Sequence, residues 1–170
     1  VEGGLLLGLG QDLLLEARVV GARLVVNDRV DVAGCLGADG VQLGQGSLPL
    51  DVARRLLGSA YFGVSVHNAA EARAARDADW FLVGSVFETA SHPDRTPGGL
   101  DLLDRVAEAV PGVPRVAIGG VTPDRIAALR HRGVAGVAAI RGIWDAPSPP
   151  DAVGRYLRAW DEASNGGETG

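Results

Sequence analysis

The stretch Arg115-Val-Ala-Ile-Gly-Gly-Val121 decides how this chain folds. A short, mostly apolar strand runs into a glycine pair. Thr122, Pro123 and Asp124 then open a helix, with Thr122 as N-cap and Pro123 at the first helical position. The pattern returns in Gly136-Val-Ala-Ala-Ile-Arg-Gly-Ile143, a second buried strand ending at Arg141-Gly142. Successive strands that end in glycine suit backbone amides closing round a phosphate at a helix N-terminus. In a (β/α)8 barrel the loops after strands seven and eight commonly do this. Tight turns alone would also ask for glycine, but two such loops in succession point to phosphate. Gly119, Gly120, Arg141 and Gly142 are its expected binding residues.

Outward from this stretch the chain keeps one rhythm. Strands predicted over 23–27, 40–44, 61–66, 80–84, 115–118 and 136–140 alternate with helices over 28–37, 50–57, 69–76, 100–110, 124–131 and 150–160. Residues 1–22 are the least readable: 4–8 fits a strand and 12–20 a short helix. Alternation of this kind argues for a parallel sheet, and strand bodies this apolar are buried on both faces. An open doubly wound sheet and a barrel both fit the spacing, and the phosphate signals on the last two strands favour the barrel. A full barrel takes eight strands, typically in about 200 residues or more. The expectation is therefore a single α/β domain over residues 1–160, a (β/α)8 TIM barrel: either 4–8 is one of the missing strands and another lies before residue 1, or the barrel is incomplete. A polar, frayed C-terminal tail follows over 161–170.

Composition narrows the function. The chain has 170 residues, 46% of them hydrophobic, and a formal net charge of −5. Its arginines are scattered, which argues against nucleic acid or an anionic membrane as partner. Apolar runs are strand-sized, too short to span a bilayer. All sixteen basic residues are arginine; a Schiff-base mechanism on a lysine of this chain is excluded. The lone Cys35 sits in a predicted helix and is expected in the core. No secretory signal is visible, so the cytoplasm is the expected compartment. The absence of methionine, even at the start, predicts a longer translated product.

Barrel sites collect at the carboxyl ends of strands. Here those ends carry Asn27-Asp28-Arg29, Gln42 with Gly44-Gln45, Ser65 with His67 and Asn68, and Ser85 through Thr89. Asn27 or Asp28 would equally cap the next helix, with Arg29 pairing Asp28 or Asp31 on the surface. Gln42, inside an apolar strand, needs hydrogen-bond partners and is read as lining the site. His67 either takes part in the chemistry or caps the helix of Glu71. The loop over 85–99 is the longest between elements and reads as a lid. It offers Glu88 and His92 as acid/base groups, and Thr89, Ser91 and Arg95 as anion donors.

Together these residues resemble the thiamine phosphate synthase / TenI superfamily. The similar segments are Val26-Asn-Asp-Arg-Val-Asp-Val-Ala33, Gly37-Ala-Asp-Gly-Val-Gln-Leu-Gly-Gln45, Gly63-Val-Ser-Val-His67, Ala78-Asp-Trp-Phe-Leu-Val-Gly84 with Phe87-Glu-Thr89, Ala117-Ile-Gly-Gly120, and 136–143. They stand in the family's order. The resemblance implies a (β/α)8 barrel that binds small phosphorylated thiazole and pyrimidine compounds, and a homodimer. The favoured expectation is a TenI-like thiazole tautomerase that works by proton transfer and without a cofactor. His92, His67 or Glu88 would be its acid/base group. Asn27, Gln42, Ser65, Ser85 and Thr89 would bind substrate beside Gly119, Gly120, Arg141 and Gly142. The alternative is the synthase itself, which joins a hydroxymethylpyrimidine diphosphate to a thiazole phosphate with Mg2+. Asp28 matches the first of that pattern's two metal aspartates. The second falls at Ser47, the loop lysine at His92, and the serine near the last strand's end at Arg141. A histidine that TenI carries falls at Ser85. A third reading is a phosphate-ligand binding or regulatory protein without catalysis.

Overall fold

The structure, a computed structural model, describes residues 3–91 and 96–165. Among them the chain forms two compact units. The first runs through Ser65 and adds Asp77–Trp80; the second comprises Val66–Arg76 and the chain from Phe81 onward. Both are α/β, and the described residues hold six parallel strands rather than eight.

In the first unit the order is α1 (Gly3–Val19), β1 (Val25–Asn27), α2 (Val30–Leu36), β2 (Gly40–Leu43), α3 (Leu50–Leu57) and β3 (Tyr61–Val66, whose last residue belongs to the other unit). The strands pair in chain order. Val25 lies opposite Gly40 and Asn27 opposite Gln42, while Gln42 lies opposite Gly63. Every residue of β2 is buried, as expected of an inner parallel strand. The core is Val30, Ala33, Val41, Leu43, Ala53 and Phe62. Gly37 ends α2 in the left-handed conformation, at φ 62°. Asp79 ties the run before β4 to β3: its Oδ2 accepts from the Phe62 amide at 2.7 Å and from Arg54 at 2.9 Å.

Two expectations fail in this unit. Residues 4–8 form no strand; they are the first turns of α1. Leucine is a good helix former, and Gly10 and Leu14 bury the helix's inner side. Cys35 is exposed, not core. Val30 and Ala33 set the inward face of α2, and position 35 falls outside that stripe.

In the second unit the order is α4 (Ala69–Ala74), β4 (Trp80–Val83, whose first residue belongs to the other unit), α5 (Gly99–Ala109), β5 (Arg115–Ile118), a 3-10 turn (Pro123–Arg125), α6 (Ile126–His131), β6 (Gly136–Ala138), α7 (Arg141–Trp144) and α8 (Pro149–Asn165). Phe81 faces Arg115 and Val83 faces Ala117; Val116 faces Gly136 and Ile118 faces Ala138. Asn68 caps α4 by accepting from the Glu71 amide at 2.9 Å, and Glu71 accepts in return from the His67 amide at 2.7 Å. Leu102, Leu103 and Val106 bury the inner face of α5. Arg115 donates to the Leu103 and Gly133 carbonyls at 2.8 and 3.0 Å. Burial draws its pKa below the usual arginine value against the opposing pull of Asp104.

Three boundaries differ from the sequence reading. Thr122 precedes the 3-10 turn in extended conformation, but its hydroxyl makes no cap bond. The last strand stops at Ala138, and Arg141 opens a one-turn helix instead of ending a strand. The final helix continues to Asn165, so the expected tail from 161 is helical over its first half. Residues 166–170 lie outside the described residues.

Candidate functional site

Asn27 and Asp28 follow β1. Asp28 has a positive φ of 61°, and its amide donates to the Gln42 carbonyl at 2.9 Å. Its Oδ1 accepts from the Gly44 amide at 3.0 Å and from the Ser47 hydroxyl, and its Oδ2 accepts from Asn27 Nδ2 at 2.7 Å. Asn27 therefore braces Asp28 and caps nothing; Arg29 precedes α2 without a side-chain cap bond. Arg29 grips Asp31 at 2.6 Å on the surface. That hydrogen bond draws the Asp31 carboxyl down to about 2.

Gln42 is only 8% exposed and has partners at both ends of its amide. Oε1 accepts from the Trp80 indole at 2.9 Å, and Nε2 donates to Ser65 Oγ at 3.1 Å. Gly63 allows this: a Cβ there would collide with the Trp80 ring and Gln42 Oε1. Gln45 reaches the Ser65 carbonyl at 3.1 Å. The structure thus gathers Asn27, Asp28, Gln42 and Ser65 at the carboxyl ends of β1, β2 and β3.

The Mg2+ that the synthase resemblance implies has one carboxylate in this cluster, and three donors already engage it. Ser47 supplies a hydroxyl where a second carboxylate would be needed. Among the described residues no group of three His, Cys, Asp or Glu could hold a metal ion. Mg2+ favours an octahedron of oxygens, usually one or two carboxylates completed by water and substrate phosphates. The residues present do not fit an ion held by the protein itself.

In the second unit the loop after β5 carries the other expected site. Gly119 and Gly120 have φ of 94° and 61°, where a side chain is strained. A Cβ on Gly119 would lie 2.6 Å from the Ser85 Cα, and one on Gly120 would strike the Glu88 carbonyl. The loop's carbonyls are held from behind. Ile118 O accepts from the Val86 amide at 2.9 Å and Gly119 O from the Phe87 amide at 3.0 Å. Gly120 O accepts from Arg125 at 2.6 Å and Val121 O from the Tyr156 hydroxyl at 2.8 Å. The Arg125 guanidinium also lies over the Phe87 ring, 4.5 Å from its centre. Among the described residues the amides of Gly120 and Val121 have no acceptor. Pinned carbonyls and open amides on successive residues are an arrangement able to receive an anion.

Gly142 follows β6, parallel to β5, and lies against Tyr156: a Cβ there would strike the phenolic oxygen. Arg141 commits one of its five N–H donors within its own helix. Its Nε donates to Asp145 at 3.0 Å, one turn on in the same exposed segment. Ser85 packs on Gly119, Glu88 is exposed, and Thr89 Oγ1 accepts from the Ser91 amide at 3.4 Å. His67 turns its Nδ1 to the Glu71 carboxylate at 3.0 Å, while the cap of α4 is Asn68 and not this histidine. Burial pushes the Glu71 carboxyl up, but the hydrogen bonds from His67 and Asn68 outweigh it and hold the group below the usual range. His92 and Arg95, and with them the centre of the expected lid, lie outside the described residues.

Sequence reasoning missed Trp80, Arg125 and Tyr156. The signal was present for two of them, because a buried indole N–H or phenol O–H has to find a partner. A cleft of about 400 Å3 between Val110, Pro111, Arg115 and Gly133 lies at the amino end of β5, away from Gly119 and Gly120.

A family profile described as thiamine monophosphate synthase matches residues 5–143. The chain belongs to that family. It is 51% identical over 141 residues to the thiamine biosynthesis bifunctional protein ThiM/ThiE of Symbiobacterium thermophilum, covering 81% of this chain and 29% of that protein. It is 44% identical over 152 residues to the thiamine-phosphate synthase of Roseiflexus castenholzii, covering 87% of this chain and 66% of the relative. Among solved structures, a thiamine phosphate pyrophosphorylase from Pyrococcus furiosus superposes with a TM-score of 0.89 at 33% identity. That match covers 96% of this chain and 79% of the other. The chain spans just under two thirds of the Roseiflexus relative and less of the Symbiobacterium one. The family's relatives carry the synthase's name, which favours the synthase alternative and does not support the TenI-like tautomerase expected first.

Proposed function

We propose that this chain is the greater part of a thiamine-phosphate synthase, an enzyme joining a hydroxymethylpyrimidine diphosphate to a thiazole phosphate with release of pyrophosphate. In that reading the protein's eight-stranded barrel includes strands beyond the six seen here. The observation that carries the substrate class is the loop over 119–121, with its carbonyls pinned and two of its amides open. Such a nest binds one phosphate through backbone donors already in place, so little ordering accompanies binding. Gly142 leaves room for the Tyr156 hydroxyl that holds the Val121 carbonyl.

The strand ends of the first unit suit a heteroaromatic ring. Ser65 and Gln42 supply hydrogen-bonding groups at the rim of a buried apolar core, the usual composition of a small-molecule site. Asn27 and Asp28 close the β1 end, and Ser85 and Thr89 flank the nest's own loop. Glu88, His67 and His92 have no assigned proton transfer here, because substitution at a carbon bearing diphosphate needs a leaving group more than a base. Asp28 is a loop clamp in this arrangement, and no step is routed through Mg2+.

The test is direct. Protein incubated with both substrates is expected to yield thiamine phosphate and pyrophosphate, followed by chromatography. Calorimetry with the thiazole phosphate alone reads the binding half separately. Binding without turnover would favour the phosphate-ligand binder, a reading that the hydrogen-bonded Asp28 and the lysine-free chain make specific. Failure to bind either substrate would refute both.

A further inference from the structure

We infer that Trp80 is a positioning residue that sets the polarity of the Ser65 hydroxyl through the amide of Gln42. All three residues belong to the first unit. An indole N–H donates and never accepts. The Gln42 atom 2.9 Å from Trp80 Nε1 is therefore the oxygen, which fixes the amide's orientation without reference to any other neighbour. The Nε2 end then has to face Ser65, at 3.1 Å, and it is a donor. Ser65 Oγ accepts that bond, so its own proton is left over. Among the described residues no acceptor takes it. Ser65 is half-buried, within reach of a bound molecule, and in this state it offers a hydrogen bond to a ligand acceptor.

Burial enforces the direction. Gln42 is 8% exposed, so a reversed amide would leave the indole N–H facing an NH2 group with no water to relieve it. Gly63 keeps the three groups in contact, since any side chain there would part the indole from the amide. One direction of the chain Trp80 to Gln42 to Ser65 is thus satisfied throughout, and the other is not. This deepens the synthase reading and rests on it for the nature of the ligand: the acceptor belongs to the hydroxymethylpyrimidine diphosphate or the thiazole phosphate.

Two measurements separate the inference from that reading. The first uses no ligand. In 15N-labelled protein the Trp80 indole resonance is assigned by its loss in Trp80→Phe, and its exchange with water is measured. Faster exchange in Gln42→Leu, with wild-type exchange in Ser65→Ala, is expected; a Trp80 resonance indifferent to Gln42→Leu overturns the inference. The second is a double-mutant cycle read as affinity for each substrate by calorimetry. Trp80→Phe keeps an aromatic ring against Gly63 and is expected to weaken binding of one substrate about five- to tenfold, the loss of one hydrogen bond. In a Ser65→Ala background the same change is expected to have no further effect, whereas Ser65→Thr, which keeps the hydroxyl, restores sensitivity to it. Additive losses mean that Trp80 merely supports the fold, and overturn the inference. Wild-type protein that binds neither substrate refutes the synthase reading, while the exchange measurement still decides the relay.

Discussion

Gly119 shows how much one residue decides. Its φ of 94° is open to glycine, and a methyl group would meet the Ser85 backbone at 2.6 Å. Gly119→Ala is therefore expected to destabilise the protein by about 1–3 kcal/mol and to abolish calorimetric binding of the thiazole phosphate. Retained wild-type affinity would remove the nest from the site. Glu71 gives a pH signature at the same scale. Its carboxyl titrates below the usual range in the folded protein. The deprotonated form is thus favoured by folding, so its contribution is present above the unfolded pKa, about 4.3, and fades as pH falls through the lower folded value. Glu71→Gln is expected to lower the urea midpoint at pH 7, and the gap to wild type is expected to close toward pH 3. A gap that ignores pH would contradict the assignment. Asn27, Asp28 and Gln42 were legible as strand-end residues because polar side chains interrupt apolar runs there. Their partners were not, because Ser47, Ser65 and Trp80 come from turns and strands remote in sequence.

At the scale of elements, the short helices depend on their ends. Six-residue α4 is too short to persist by propensity. It begins with a reciprocal cap, Asn68 to the Glu71 amide and Glu71 back to the His67 amide. Asn68→Ala is expected to lower the unfolding free energy by about 1 kcal/mol in urea denaturation, with little change in substrate affinity. Thr122 stands in the position of a cap but makes no such bond, which no spacing rule distinguishes from Asn68. Alternation of apolar strands with amphipathic helices placed β1 to β6 within a few residues. It failed over 1–22, where leucine serves strand and helix equally and burial of Gly10 and Leu14 decides. The turn at Arg141 was misread for a related reason: an apolar run such as Val137 to Ile140 carries no mark of where pairing with β5 stops.

For the molecule as a whole, the proposed function is a statement about linkage. A ligand that binds only the folded state stabilises it by RT ln(1 + [L]/Kd). Thiazole phosphate at a hundred times its Kd is expected to add about 2.7 kcal/mol, visible as a rise of a few degrees in melting temperature. A melt unmoved at that concentration would leave the phosphate nest without a ligand of this class. The net charge of −5 fits this scale too: anionic substrates gain nothing from the overall field, so attraction has to come from local donors such as open amides.

By itself the sequence determined the α/β class, the parallel strands and the family, because these follow from patterns repeated along the chain: apolar runs of strand length, glycines after them, motifs in a fixed order. Tertiary structure alone decided which polar groups remain available. Asp28, read as a candidate metal ligand, receives hydrogen bonds from Asn27, Gly44 and Ser47, and Arg141, read as a phosphate fork, gives its Nε to Asp145. The Trp80 N–H and the Tyr156 O–H find their acceptors, Gln42 and the Val121 carbonyl, only in the folded chain. Hydrogen bonds are short-ranged and directional, so which donor meets which acceptor depends on the spatial neighbours that folding supplies.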